Sequence, residues 1–101
     1  MIPFSLARAE SVFARMAGDF KLPRPLSEYF LENVHITTSG YFTDAPFTCA
    51  LMVFGPDRII FSVDYPYASN HEAVAFLKAA PVSDADREKI AHGNVEALLK
   101  L

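Results

Sequence analysis

Two short runs of apolar and β-branched residues stand out in the hydrophobic pattern of the chain. The run 34–39 reads Val-His-Ile-Thr-Thr-Ser, and the run 59–63 reads Ile-Ile-Phe-Ser-Val. A short run that is apolar on both faces is typical of a buried parallel strand, and β-branched residues favour extended backbone. Gly40 closes the first run, and Asp64 with Pro66 closes the second. We therefore predict strands over 34–39 and 59–63.

Apolar residues at helical spacing occupy most of the remaining chain. They recur every three or four residues, and Pro, Gly and capping Ser or Asp residues mark the ends of the segments. Helices are expected over residues 5–17, 26–31, 45–54, 70–79, 84–92 and 95–101, with Gly93 separating the last two and Asn94 as the candidate cap of the last. The order strand, helix, strand with short links predicts a βαβ unit with parallel strands. The predicted fold class is therefore α/β.

Asp64 is the first candidate for chemistry, because it directly follows the predicted strand 59–63. Parallel α/β folds place functional side chains at the carboxyl ends of their strands. An aspartate at such a position also commonly caps the turn that follows. The pattern alone leaves both interpretations open.

The composition restricts the kind of partner that the chain can have. Its 101 residues are 51% hydrophobic and carry a formal net charge of −3, without a cluster of Lys or Arg. We therefore expect neither nucleic acid nor an anionic membrane surface as partner, and no apolar run is long enough to span a membrane. The single cysteine, Cys49, is consistent with a reducing cytoplasm. A chain this short cannot bury so many apolar residues by itself, so we expect it to form a homo-oligomer or to be part of a larger fold.

The three histidines do not form a recognisable metal motif. His71 is followed by Ala75 where a zincin helix needs a second histidine. His35 lies within a predicted strand and His92 directly precedes Gly93, so both are interpreted as structural. His71 belongs to the first turn of the helix after Asp64 and is a candidate for the same cleft.

Several separated blocks of the sequence resemble the amidohydrolase superfamily. They are residues 29–34 (Tyr-Phe-Leu-Glu-Asn-Val), 37–40 (Thr-Thr-Ser-Gly) and 55–66 (Gly-Pro-Asp-Arg-Ile-Ile-Phe-Ser-Val-Asp-Tyr-Pro). Residues 89–99 also resemble the closing helix of that family, with Val95 where the family has alanine. The branch that the blocks resemble most is the metal-dependent decarboxylases, which include the γ-resorcylate, dihydroxybenzoate, 5-carboxyvanillate and aminocarboxymuconate-semialdehyde enzymes.

This resemblance implies a (β/α)8 barrel of which residues 1–101 are the C-terminal third. The segments 34–39 and 59–63 correspond to its seventh and eighth strands. Asp64 then matches the family's aspartate at the end of the last strand, which ligates a divalent metal and takes part in proton transfer. Zn²⁺ or Mn²⁺ is the cofactor expected for the complete enzyme, and no other cofactor site is expected.

The reaction implied by the resemblance is the release of carbon dioxide from a small aromatic or unsaturated carboxylate. The family's other metal ligands fall upstream of the equivalent of Met1, so the isolated chain is expected to retain no metal and to be inactive. Two alternatives stay open. One is a hydrolase of the same superfamily that acts on a lactone, and the other is a non-catalytic fragment that self-associates through the edges of its incomplete sheet.

A cleft around Asp64 is expected to contain four further residues. Ser39 lies at the end of the first strand, and Tyr65 and Pro66 follow Asp64 directly. With His71, they are the candidates for contact with a substrate.

Overall fold

The computed structural model of the protein describes residues 1–16 and 23–101. These residues divide into two units, Met1–Val34 and His35–Leu101. None of the helices within the described ranges combines the length and the hydropathy that a membrane-spanning helix needs.

The first unit contains helices α1 (Ile2–Arg15) and α2 (Leu26–Asn33). Helix α1 begins before the predicted residue 5, because Pro3 lies in its first turn, where a missing N–H removes no helical hydrogen bond. The predicted end at Ala17 lies outside the described residues. Next to α2, Arg24 forms an ion pair with Glu32, and its guanidinium lies 4.7 Å from the centre of the Tyr29 ring.

The second unit contains a two-stranded parallel sheet of β1 (Ile36–Thr37) and β2 (Ile59–Ile60). Helix α3 (Asp44–Phe54) and a 3₁₀ turn, Pro56–Arg58, connect the two strands. This arrangement confirms the predicted α/β class and the parallel pairing of the strands.

The two strands are shorter than the predicted segments 34–39 and 59–63. Val34 still belongs to the end of α2, where its N–H donates to the Phe30 carbonyl at 3.0 Å. At the other end the backbone ladder stops after Thr38, because the Thr38 carbonyl accepts a hydrogen bond from the Tyr41 N–H in a turn.

The last part of the chain is helical, and its bounds match the prediction only in part. Helix α4 (Asn70–Ala79) has the predicted bounds. Helix α5 (Asp84–Glu88), a π-helical turn (Lys89–Gly93) and helix α6 (Asn94–Leu99) then follow without interruption. The predicted break at Gly93 is therefore wrong, and the φ of −58° and ψ of −41° at that residue are helical.

Contacts with strand β2 explain why the helix continues. The side chain of Asn94 is buried and donates to the carbonyls of Pro56, at 2.6 Å, and Ile59, at 2.8 Å. The Ile90 carbonyl accepts a hydrogen bond of 2.9 Å from the Phe61 N–H. Asn94 therefore serves as a contact to the strand and does not cap a new helix.

The hydrophobic core of the second unit lies around β2. Ile59 and Ile90 are fully buried there, and the Phe47 ring meets the Phe76 ring edge-on at 5.2 Å. The buried cluster consists of Phe47, Ala50, Ile59, Phe76, Ala80 and Ile90. The core thus holds α3, α4 and the π-helical turn against the strand that precedes Asp64.

Candidate functional site

An open cavity of about 790 Å³ lies beyond the carboxyl ends of the two strands. The segments that follow β1 and β2 contribute its lining residues, which are Gly40, Phe42 and residues 64–72. Its volume is in the range of about 300–1,000 Å³ that is usual for small-molecule sites.

Asp64 lies on this cavity with its side chain exposed. Its φ of 74° is left-handed, a conformation that aspartate adopts more readily than most residues. Its carbonyl accepts hydrogen bonds from the N–H groups of Tyr67, at 2.8 Å, and Ala68, at 3.0 Å. The backbone of Asp64 therefore forms the turn. No hydrogen bond or ion pair within residues 1–16 and 23–101 uses its carboxylate, which is available to a ligand.

Aromatic side chains accompany Asp64 along the cavity. Tyr65 is 73% exposed and Tyr67 is 89% exposed, and Pro66 stands between them after a cis peptide bond. Phe42, on the segment after β1, lines the same cavity, and its ring packs 6.1 Å from that of Phe76. Such a wall offers aromatic faces to a flat ligand.

His71 and Glu72 enter the same cavity from the first turn of α4. Ser69 caps that helix and accepts a hydrogen bond from the Glu72 N–H at 3.3 Å, which fixes the turn. Asp64, His71 and Glu72 therefore face one volume. Even so, no group of three or more His, Cys, Asp or Glu side chains in the described residues could hold a metal ion.

The predicted cleft residues are brought together with one exception. Tyr65, Pro66 and His71 line the cavity beside Asp64, whereas Ser39 is not among the lining residues. The Ser39 hydroxyl instead accepts a hydrogen bond of 3.1 Å from the Thr37 hydroxyl.

Several lining residues were not predicted from the sequence, and those with aromatic or charged side chains are Phe42, Tyr67 and Glu72. Tyr67 and Glu72 stand next to residues that had been singled out, so the sequence carried a signal for both. Phe42 lies in a loop with no pattern of its own.

The other two histidines lie away from the cavity. His35 is half-buried, and burial, together with the charge of Arg58, lowers its pKa. His92 lies between two carboxylates, with Nε2 at 2.7 Å from Glu88 and Nδ1 at 3.0 Å from Glu96. Hydrogen bonding to Glu88 and the charge of Glu96 raise the pKa of His92.

A second cavity of about 620 Å³ follows one face of α3. Asp44, Ala45, Thr48, Cys49, Met52 and Val53 line it, and Cys49 is a half-buried free thiol. It contains none of the predicted site residues.

Comparison with known proteins relates the chain to a family of enzymes. The family model described as amidohydrolase matches residues 2–101. A γ-resorcylate decarboxylase from a Polaromonas species is 33% identical over 102 residues, which cover 99% of this chain and 31% of that enzyme. The chain thus spans about a third of the length of the curated relatives that it matches.

Solved structures give the same relationship. A 5-carboxyvanillate decarboxylase from Sphingomonas paucimobilis matches with a TM-score of 0.91 and 34% sequence identity. The match covers 99% of this chain and 31% of the chain of that enzyme. A dihydroxybenzoic acid decarboxylase from a Polaromonas species, solved with bound manganese and the inhibitor 2-nitroresorcinol, has a TM-score of 0.87 and 36% identity over 99% of this chain and 31% of its own. The chain therefore belongs to the amidohydrolase family.

Proposed function

We propose that this chain supplies the last two βα units of an amidohydrolase-type barrel that decarboxylates a small aromatic or unsaturated carboxylate. The observation that carries the proposal is the Asp64 carboxylate, which has no partner among the described residues and lies at the carboxyl end of a parallel strand beside an aromatic-lined cavity. The relatives are named as decarboxylases, which supports decarboxylation over the hydrolytic alternative.

The residues present fit a divalent metal as a partial ligand set. A catalytic metal usually takes about three protein ligands, and Asp64 is suited to be one of them. The other ligands would come from earlier strands of a complete barrel. Manganese in the Polaromonas neighbour supports a divalent metal for the complete enzyme. When bound, such an ion would supply positive charge that stabilises negative charge on the substrate.

The chain's own residues then have separable roles. The bond between the carboxylate carbon and the adjacent substrate carbon breaks and carbon dioxide leaves. The electron pair of that bond stays on the substrate carbon, which takes up a proton that comes from solvent. Asp64 is the carboxyl group placed to carry that proton. Phe42, Tyr65 and Tyr67 would orient the substrate ring against their aromatic faces.

The proposal includes predictions about the chain by itself. We expect the isolated chain to release no carbon dioxide, because its described residues contain no complete ligand set. A cytoplasmic location and a homo-oligomeric state remain predictions from composition. The non-catalytic alternative is tested by the size of the isolated chain in solution, and a stable 11.2 kDa monomer would contradict it.

A chimaeric enzyme tests the proposed function. The first two thirds of the Polaromonas γ-resorcylate decarboxylase would be joined to this chain, loaded with Mn²⁺ and given a panel of aromatic carboxylates and lactones. We expect carbon dioxide release from at least one aromatic carboxylate, measured together with the decarboxylated product.

Two variants make the test specific. Asp64→Asn should lower the rate by a factor of about a thousand or more, the order lost when a central catalytic group is removed. Asp57→Asn is the matched control, because this exposed carboxylate precedes the same strand and pairs with Lys89 at 3.0 Å. Unchanged decarboxylation by Asp64→Asn, or turnover of lactones only, would overturn the proposal.

A further inference from the structure

Thr38 forms an unusual last rung between the two strands of the sheet. Its N–H donates to the Ile60 carbonyl at 3.1 Å, as expected in a parallel ladder. The next bond of such a ladder would run from the Ser62 N–H to the Thr38 carbonyl. That carbonyl is already engaged by the Tyr41 N–H at 2.8 Å, because the chain turns at Gly40, where φ is 72°.

The Thr38 hydroxyl replaces the missing carbonyl. It accepts a hydrogen bond of 3.0 Å from the Ser62 N–H and donates one of 2.8 Å to the Ser62 carbonyl. Thr38 is only 4% exposed, so water does not compete readily for these bonds. Both backbone groups of Ser62 are thus satisfied by a single side chain.

This contact lies two residues before Asp64. On the far side of Asp64, its own carbonyl is held by the N–H groups of Tyr67 and Ala68. The peptide units around Asp64 are therefore fixed from both directions, although the side chain itself is exposed. Because the left-handed backbone at Asp64 is intrinsically unfavourable, its neighbours must hold it in place.

We propose that Thr38 is a positioning residue, whose hydroxyl sets the direction in which the Asp64 carboxylate enters the cavity. The inference deepens the proposed function and rests on it for the role of Asp64. A site that binds a metal or transfers a proton needs its carboxylate held to within about half an ångström. The two hydrogen bonds between the Thr38 hydroxyl and the Ser62 backbone provide this constraint for the segment that leads to Asp64.

Three variants separate the hydroxyl from the rest of the residue. Thr38→Val has nearly the same shape but no hydroxyl, and Thr38→Ser keeps the hydroxyl but loses the methyl group. Thr37→Val is the matched control, because it removes a hydroxyl that bonds only Ser39 among the described residues. All three can be made in the 101-residue chain.

Amide hydrogen exchange and the NMR order parameter at Asp64 provide readouts that do not depend on activity. We expect Thr38→Val to accelerate exchange of the Ser62 N–H by about tenfold relative to the Phe61 N–H, which is held by Ile90. The order parameter of the Asp64 amide should fall in the same variant. Thr38→Ser and Thr37→Val should keep both values close to those of the parent chain.

A measurement on the parent chain covers the case in which Thr38→Val does not fold. The Thr38 hydroxyl proton should exchange slowly enough to be observed, with a nuclear Overhauser effect to the Ser62 N–H. Exchange as fast as that of the exposed Thr48 hydroxyl would overturn the inference. An unchanged Asp64 order parameter in folded Thr38→Val would overturn it too.

The two proposals fail in different ways. If Asp64→Asn keeps full activity in the chimaera, the proposed function is contradicted. The amide exchange of Ser62 and the order parameter of Asp64 then still decide whether Thr38 orders the segment around Asp64. If Asp64→Asn is inactive but Thr38→Val keeps the parent kcat, Asp64 retains its role and the positioning role of Thr38 is contradicted. Rescue of kcat by Thr38→Ser relative to Thr38→Val is the result expected when both proposals hold.

Discussion

The amino end and the carboxyl end of strand β2 lie only a few residues apart but have opposite surroundings. At the amino end, Ile59 is 1% exposed, and the buried Asn94 side chain bonds its carbonyl. At the carboxyl end, Asp64 is exposed, has a left-handed backbone and faces an open cavity. Core packing and the Asn94 hydrogen bond hold one end, whereas the other end presents a carboxylate that has no partner among the described residues.

This difference indicates how the chain separates stability from chemistry. Barrel-type folds place stabilising contacts at the amino face of their strands and reactive groups at the carboxyl face. In this chain the core cluster around Ile59 and Ile90 stabilises the strand, so that the residues beyond it can keep an exposed, strained conformation. Substitutions at the two ends should therefore act on different observables.

The largest effect on stability is expected from Ile59→Ala. Removing most of a buried isoleucine side chain leaves a cavity in the core and should lower the free energy of unfolding by about 2–5 kcal/mol. Urea denaturation measures this loss. Ile59→Val, at about 0.5–1.5 kcal/mol, is the milder variant if the alanine variant does not fold. Asp64→Asn should stay within about 0.5 kcal/mol of the parent chain, and a loss as large as that of Ile59→Ala would break the comparison.

Asn94→Ala should have the next largest effect. It leaves the carbonyls of Pro56 and Ile59 without their donor in a buried place, which should cost about 1–3 kcal/mol. Asn33→Ala is a suitable control, because that amide is exposed and bonds the Tyr29 carbonyl at 2.9 Å. Equal losses in the two variants would show that burial of Asn94 does not matter.

The sequence predicted those parts of this arrangement that depend on local pattern. The apolar spacing over residues 70–79 located α4, and the apolar run before Asp64 located β2 and the end of the strand that faces the cavity. The parallel pairing followed from the short strand–helix–strand order. These features depend on residues close together in the chain.

Features that depend on distant contacts could not be predicted in the same way. Asn94 has the local pattern of a helix start. Its bonds to Pro56 and Ile59, which lie 38 and 35 positions earlier in the chain, leave no trace in local spacing. Thr38 likewise has the pattern of an ordinary strand residue, although its carbonyl turns to the Tyr41 N–H and its hydroxyl bonds Ser62 in place of that carbonyl. The prediction for Ser39 depended on a strand that continued to residue 39, whereas the strand ends at Thr37 and the chain turns at Thr38.

A smaller effect is expected from the titration of His92. Both ring nitrogens face carboxylates, and only the protonated ring can donate to both. Because its pKa is raised above 6.5 in the folded chain, its contribution to stability is complete below pH 6.5 and is lost as the pH rises through the raised value. The difference in unfolding free energy between the parent chain and His92→Gln should shrink between about pH 5 and pH 9. A difference that grows with pH would contradict this.

His35 should show the opposite dependence on pH. Burial and the charge of Arg58 lower its pKa below 6.5, so the neutral ring is favoured in the folded chain. Its contribution is present above pH 6.5 and is lost as the pH falls through the lowered value. Comparison with His35→Gln over the same pH range measures it. Arg58→Gln should move the pKa of His35, followed by NMR, back towards 6.5.

The most direct test is a manganese titration that compares the Mn²⁺ affinity of the chimaeric barrel with that of its Asp64→Asn and Asp57→Asn variants. Asp64→Asn should weaken Mn²⁺ binding by about a hundredfold or more, because it removes a ligand and second-sphere changes alone cost 10- to 100-fold. Asp57→Asn, at the amino end of the same strand, should bind the ion as the parent does. Equal affinity in the two variants would show that the carboxyl end of β2 does not hold the metal.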